Sequence, residues 1–346
     1  TNWPSRKPVS YWQMKQSIFN RIYQLALMRH TVFVSFTALL LFIGSHSQAA
    51  TFKVATLSPD GSFWMKTMRA AGKEVAAATE DRVKFKWYPG GVMGDDKSVL
   101  RKMRVGQLQG AALPMGELLS FYPDSQAYGI PFLFRSYEEV DHVRSQLDAS
   151  LIAGFAEGGM EVLGLAEGGF GYFLTAEPVR VPADLQQQKV WVPQNDVVSA
   201  RLAQSIGVTP IPLTLPDVLP GLQTGLINTV AVSPIGAIAL QWHTRVDYLT
   251  DIPLMYFCGV MTLSGKSFNK LSPEDQAVVQ EVFDKAFEDI EARNRADNVS
   301  AFDALLNQGV EPVALTDAEK QAWLSMQQPG EAMMQSEGGL STAALE

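Results

Sequence analysis

A single cysteine in 346 residues, Cys258, leaves no intramolecular disulfide available, and its place in the run Met255-Tyr-Phe-Cys258 reads as a packing thiol. Histidine is nearly as scarce. The four are His30, His46, His142 and His243, and with one cysteine they make a poor kit for a zinc site or a Cys–His dyad. There is no Gly-x-Ser-x-Gly elbow, no metal-ligand motif and no obvious carboxylate pair, so an exported enzyme is disfavoured and no cofactor is expected. The run Glu167-Gly-Gly-Phe-Gly-Tyr172 falls short of a dinucleotide loop. Leu174 stands where its third glycine belongs, and a strand follows instead of a helix. Positive charge is short as well. Five of the 28 basic residues (Arg6, Lys7, Lys15, Arg21, Arg29) lie in the first 49 positions, which hold no acid. From Ala50 onward, 23 basic side chains face 36 acidic ones, a surplus of 13 negative charges. Such a surplus repels phosphate backbones and anionic headgroups, which argues against nucleic acid or a membrane surface as partner.

What is present is the composition of an ordinary folded protein, 47% apolar and 10% aromatic. Arg29 and His30 precede the uncharged run Thr31 to Gly44, and Ser45-His-Ser-Gln-Ala-Ala50 follows. That order predicts a secretory signal peptide over 28–49, with small residues flanking a cut after Ala49. The run is too short to cross roughly 30 Å of hydrocarbon as a retained anchor. Residues 1–27 precede a better start at Met28 and read as an over-extended start. The expected mature chain is periplasmic, with no direct membrane insertion after cleavage.

Past the cut, the β-rich run Thr51 to Leu57, the helical spacing from Ser62 to Glu80 and the period-two run Val83, Phe85, Trp87 make a β-α-β unit. Helices are expected near 96–105, 137–158 and 197–205, and strands at 110–114, 162–166 and 189–192. This alternation implies an α/β protein of parallel sheets covered by helices. About 297 mature residues exceed one comfortable core, so two lobes are expected. Two strand-like runs, Phe170 to Ala176 and Tyr256 to Ser264, read as hinge crossings. They assign 50–171 with 260–270 to lobe I and 172–259 to lobe II. Ser272-Pro-Glu-Asp275 is a strong helix start, opening a helix on the order of 50 Å within 271–309 that is long enough to span both lobes. Thr316 and Glu319 start a last short helix within 310–346, with a mobile tail after Pro329.

Four segments complete a pattern that none carries alone: Pro89-Gly-Gly-Val-Met-Gly-Asp-Asp96, Ile130-Pro-Phe-Leu-Phe134 with Tyr137-Glu-Glu-Val140, Asp184-Leu-Gln-Gln-Gln-Lys-Val-Trp-Val-Pro193, and Leu222-Gln-Thr-Gly-Leu-Ile-Asn-Thr229. In this order and spacing the chain from about Thr51 to Gly309 resembles the solute-binding proteins of tripartite ATP-independent periplasmic (TRAP) transporters, the dicarboxylate-binding-protein family. The resemblance implies a two-lobed periplasmic solute-binding protein fold with hinge strands and a long lobe-spanning helix. It also implies a small-molecule solute, delivered to the small and large membrane subunits of a transporter, and no chemistry. A ligand-sensing subunit of a signalling system is the alternative, and neighbouring genes would separate the two.

The departures from the family pattern bear on the ligand. The resemblance implies an arginine, clamping the substrate carboxylate, where this chain has Trp191. Asn228-Thr229 replaces an acid–glycine pair, and Tyr172 or Phe173 stands near a hinge arginine's place. Strand alternation puts Lys189 and Trp191 on one face and Val190 and Val192 on the other, which turns Trp191 to the cleft if the valines face the core. Lys189 is then a possible substitute cation. Ligands of parallel sheets sit at the carboxyl ends of strands. By that rule Ser58, Trp64, Met115, Glu117, Gln194, Asp196 and Ser233 are candidate substrate-binding residues, the resemblance adds Tyr172 and Trp191 at the places of its arginines, and His243 reads as structural. The expected ligand is neutral, apolar or aromatic-bodied in preference to a small dicarboxylate.

Overall fold

The computed structural model describes Trp12 and residues 49–345 apart from Asn195, so the signal-peptide expectation and the extended start lie outside the described residues. Among the described residues no helix is long and apolar enough to cross a membrane.

The first lobe is built on β1 (Ala50–Thr56), which pairs in parallel with both β2 (Val83–Tyr88) and β3 (Gly110–Pro114). Helix α1 (Phe63–Ala78) opens on the Ser62 side chain, which accepts the Met65 N–H, and buries Met65, Met68, Ala71 and Val75. Helix α2 (Asp96–Arg104) is capped by Asp95, and α3 (Tyr137–Glu157) by Ser136. The sheet is mixed and not parallel throughout. The 16-residue strand β4 (Met160–Thr175) and β9 (Met255–Ser264) run antiparallel to one another, and β9 runs antiparallel to β3. The expected strand 162–166 and hinge run 170–176 are therefore one strand. Two register shifts, at Val162/Gly164 and Glu167/Gly169, let it bend where a regular strand would not.

Beyond Gly171, β4 changes partners. Its last residues pair antiparallel with β7 (Thr229–Val232) and β8 (Tyr248–Thr250), and β10 (Glu311–Val313) adds to β8 in parallel. The short pair β5 (Trp191–Pro193) and β6 (Ile211–Leu213) completes this second lobe. Its helices are α4 (Val197–Ser205), α5 (Leu215–Thr224) and α6 (Pro234–Ala239); a four-residue α7 (Gly265–Phe268) follows β9. One core gathers Trp191, Val218, Leu222, Val230 and Trp242, and a second, around Val190, Val208 and Trp323, also takes Phe132.

Helix α8 (Pro273–Asn307) runs 35 residues, about 52 Å at 1.5 Å per residue. It places Val279, Phe283, Phe287 and Ile290 in the first lobe's core and Leu305 in the second's. It lies so close to β4 that a Cβ on Gly169, whose φ is +83°, would sit 2.5 Å from the Asn298 amide. Helix α9 (Asp317–Leu324) starts on the expected capping box of Thr316 and Glu319. The tail after Pro329 is not a mobile extension. It continues as α10 (Gln327–Gly338), with Met334 and Leu340 buried beside Ala127 and Ile130.

Candidate functional site

The carboxyl ends of β1 and β3 face those of β5, β6 and β7 across a cleft of about 1010 Å³, with residues of β4 and β9 also on its wall. Eight of the nine sequence candidates line it: Ser58, Trp64, Met115, Glu117, Trp191, Gln194, Asp196 and Ser233. Tyr172 does not. It lies in the segment of β4 that pairs with β7, and its ring meets Phe302 of α8 edge-on at 5.5 Å, which makes it a packing residue between strand and long helix.

Several of the eight have structural duties too. Asp196 caps α4, accepting the Ser199 N–H at 2.8 Å, and Ser233 caps α6, accepting the Gly236 N–H at 3.4 Å. Met115 is buried in the first lobe's core. Trp191 is 8% exposed, meets Trp242 edge-on at 5.3 Å, and donates its indole N–H to the Leu213 carbonyl at 3.1 Å. Its one donor is thus committed inside the protein, and what it offers the cleft is carbon. The expectation that the neighbouring valines face a core holds, since Val190 and Val192 are both buried. Lys189 is outside the cleft. It precedes β5, is exposed, and donates its ammonium to the Gly225 carbonyl at the end of α5, 2.7 Å away. His243 is structural as expected, one ring nitrogen lying 3.1 Å from the Ala237 carbonyl. Burial pushes the Cys258 thiol up, which suits packing and not reaction.

Sequence reasoning missed a functional candidate in Asp96. The loop after β2 turns through Gly90, Gly91 and Gly94, all at positive φ, and delivers Asp95 and Asp96 to the first turn of α2. Asp95 is the cap, bonded to the Ser98 N–H at 2.9 Å, and that hydrogen bonding holds its carboxyl below the usual range. Asp96 has no such partner. Its Oδ1 is buried and unpaired, and burial, reinforced by Glu117 and Asp95, pushes its carboxyl up to about 7. Burial raises Glu117 as well, with Asp196 and Asp95 adding repulsion. The available signal was the rule already applied to β1 and β3: β2 also ends here. Among the described residues no group of three or more His, Cys, Asp or Glu is placed to hold a metal ion. The basic residues on the lining, Lys97 and Arg104, are both exposed. Arg104 is held by the Ser120 hydroxyl at 3.0 Å and lies over the Phe121 ring.

Residues 54–337 match the model of bacterial extracellular solute-binding protein, family 7 (DctP). The chain belongs to this family. A solute-binding protein of Chromohalobacter salexigens is 26% identical over 249 residues, covering 70% of this chain and 73% of that one. The ectoine-binding periplasmic protein TeaA of Halomonas elongata is 28% identical over 208 residues, 58% of this chain and 60% of its own. Among solved structures, a TRAP periplasmic solute-binding protein from Sulfitobacter with bound β-D-galacturonate superposes with a TM-score of 0.78 at 20% identity, covering 85% of this chain and 98% of that one. At that identity the likeness carries the fold, a two-lobed α/β periplasmic binding protein.

Proposed function

We propose that this family member is a periplasmic receptor that captures a small organic solute by closing its lobes and hands it to the small and large membrane subunits of a TRAP transporter, doing no chemistry itself. The observation that carries the reading is the cleft. It opens at the carboxyl ends of strands from both lobes, while β4 and β9 pass from one lobe to the other and α8 packs into both cores. A pair of crossing strands with bulges in β4 is the kind of element that absorbs a hinge rotation. Export through the segment 28–49 is part of the proposal, as are the lobe limits 50–171 with 260–270 and 172–259.

The proposed solute is neutral, apolar or aromatic-bodied in preference to a small dicarboxylate. Trp191 stands in the place of the carboxylate-clamping arginine and offers no donor, and Lys189 is turned away. A carboxylate entering this cleft loses several kcal/mol of hydration without a charge-assisted bond to recover it. Trp64, Met115 and Trp191 instead supply apolar wall, where burial is favourable by about 25 cal/mol per Å². The ligands named for relatives are acids, among them ectoine, β-D-galacturonate and L-malate, and one relative is a C4-dicarboxylate-binding protein, so this reading sets the chain apart from them. Small-angle scattering with and without saturating solute tests capture: closure should reduce the radius of gyration and raise the melting temperature. An unchanged envelope at saturation would refute it.

A further inference from the structure

The wall of the cleft carries both unpaired oxygens and apolar side chains, with little basic charge among them. Asp96 and Glu117 make no hydrogen bond or ion pair with any described side chain, unlike Asp95 and Asp196, which are occupied as helix caps. A second observation comes from other elements of the wall. The Ser125 and Tyr256 hydroxyls, each on a residue 1% exposed, are buried and unpartnered, and both residues line the same cleft. The Tyr256 ring cannot swing to find a partner, because Tyr128, Phe134 and Phe170 hold it edge-on. Buried polar atoms without partners are uncommon in folded proteins, and three of them on one cavity wall, Asp96 Oδ1 and the Ser125 and Tyr256 hydroxyls, point to groups supplied by a ligand. A hydroxyl can donate or accept, so Ser125 and Tyr256 do not fix the sign of the ligand's charge. Asp96 and Glu117, with no cationic side chain bonded to either, favour a cation beside them.

We propose that the solute carries a cationic nitrogen, received by Asp96 and Glu117, with its apolar body against Trp64, Met115 and Trp191. The proposal rests on the solute-receptor reading above; it keeps that solute's apolar body and replaces its neutral head by a cationic one. An organic cation fits better than a metal ion, because among the described residues no group of three or more ligating side chains is placed to hold one, and an aromatic face attracts a cation that is larger and less hydrated. The exposed, already engaged Arg104 and the exposed Lys97 do not neutralise the buried pair.

Calorimetric titration with isosteric probes separates charge from shape. Choline and 3,3-dimethylbutan-1-ol have the same outline and differ in one charged centre; benzyltrimethylammonium adds an aromatic body, and succinate is the anionic control. The whole exported protein should bind at least one of the two ammonium probes, and should bind choline at least ten-fold more tightly than its neutral isostere. The preference should shrink towards unity in the double variant Asp96→Asn, Glu117→Gln, while affinity for the neutral probe stays within two-fold. A circular dichroism melt of that variant establishes that it is folded. Binding of 3,3-dimethylbutan-1-ol or succinate as tight as that of choline, with lobe closure, would overturn the cation proposal and leave the receptor reading standing. No binding by any probe, together with an unchanged scattering envelope, would count against both.

Discussion

Two regions of this protein take carboxylates out of water, and they do so in opposite ways. Glu167, on the first-lobe part of β4, has a side chain only 2% exposed, yet both its oxygens are met by Arg295, with contacts of 2.8 and 3.0 Å from Nε, and one of them by Arg144 at 3.2 Å. Arg144 belongs to α3 and Arg295 to α8, so one carboxylate ties a helix of the first lobe and the long helix to the crossing strand. Asn294 donates to the Glu167 carbonyl at 2.6 Å and completes the bracing. Asp96 and Glu117 have the burial without the cations. The contrast teaches that burial of an acid is not by itself a functional signal: the satisfied one is a brace, and the unsatisfied pair is where a partner from outside belongs.

The largest expected effect separates the two directly. Glu167→Ala removes the carboxylate that Arg144 and Arg295 share, leaving Arg144 with Asp148 and Glu291 and Arg295 with Asp141, and should cost about 2 to 3 kcal/mol in denaturant unfolding. Asp96→Asn, by the same measurement at pH 8, should cost nothing or stabilise, because it removes an unpaired charge. Equal losses in the two variants would erase the distinction.

A smaller effect is read in pH. The Asp96 carboxyl is raised from an ordinary 3.8 to about 7, so between those values the folded state keeps a proton that the unfolded chain has lost. Its contribution therefore favours folding in acid and is lost as pH rises through about 7. In melting curves from pH 5 to 8, Asp96→Asn should gain on the wild type steadily as pH rises, and two parallel curves would show that Asp96 does not carry this linkage.

The smallest effect concerns Trp191. Trp191→Phe keeps most of the ring against Trp242 but loses the N–H to Leu213, whose carbonyl still accepts from the Gln194 N–H at 3.2 Å, so the cost should be about 1 kcal/mol. Ligand affinity should fall less than ten-fold, as expected for an apolar wall. A hundred-fold loss would mean that the indole has a directional role in the cleft.

Much of the frame was legible because it depends on local signals. Strand β3 at 110–114, helix α4 at 197–205 and the start of α8 at Ser272 follow from alternation, periodicity and capping, which neighbouring residues settle among themselves. The runs 162–166 and 170–176 look separate in sequence because Gly168 and Gly169 interrupt the alternation between them, whereas pairing with β9 carries the chain through as a bulge. Helix α10 was read as a tail because of Pro329 and Gly330. Proline is tolerated in a first turn, and burial of Met334 stabilises the rest. In the site, end-of-strand placement found seven lining residues and the resemblance an eighth, Trp191, but neither could see that the Trp191 N–H is spent on Leu213, that Lys189 reaches Gly225, or that Asp96 lacks a partner. Those facts arise from segments distant in sequence, and no local pattern records them.

The most direct measurement is mass spectrometry of the small molecule released when the exported protein is purified natively and then denatured. The account predicts an organic solute with a cationic nitrogen and an apolar body, retained by the wild type and depleted in Asp96→Asn, Glu117→Gln. Recovery of a C4-dicarboxylate, retained equally by both, would contradict it.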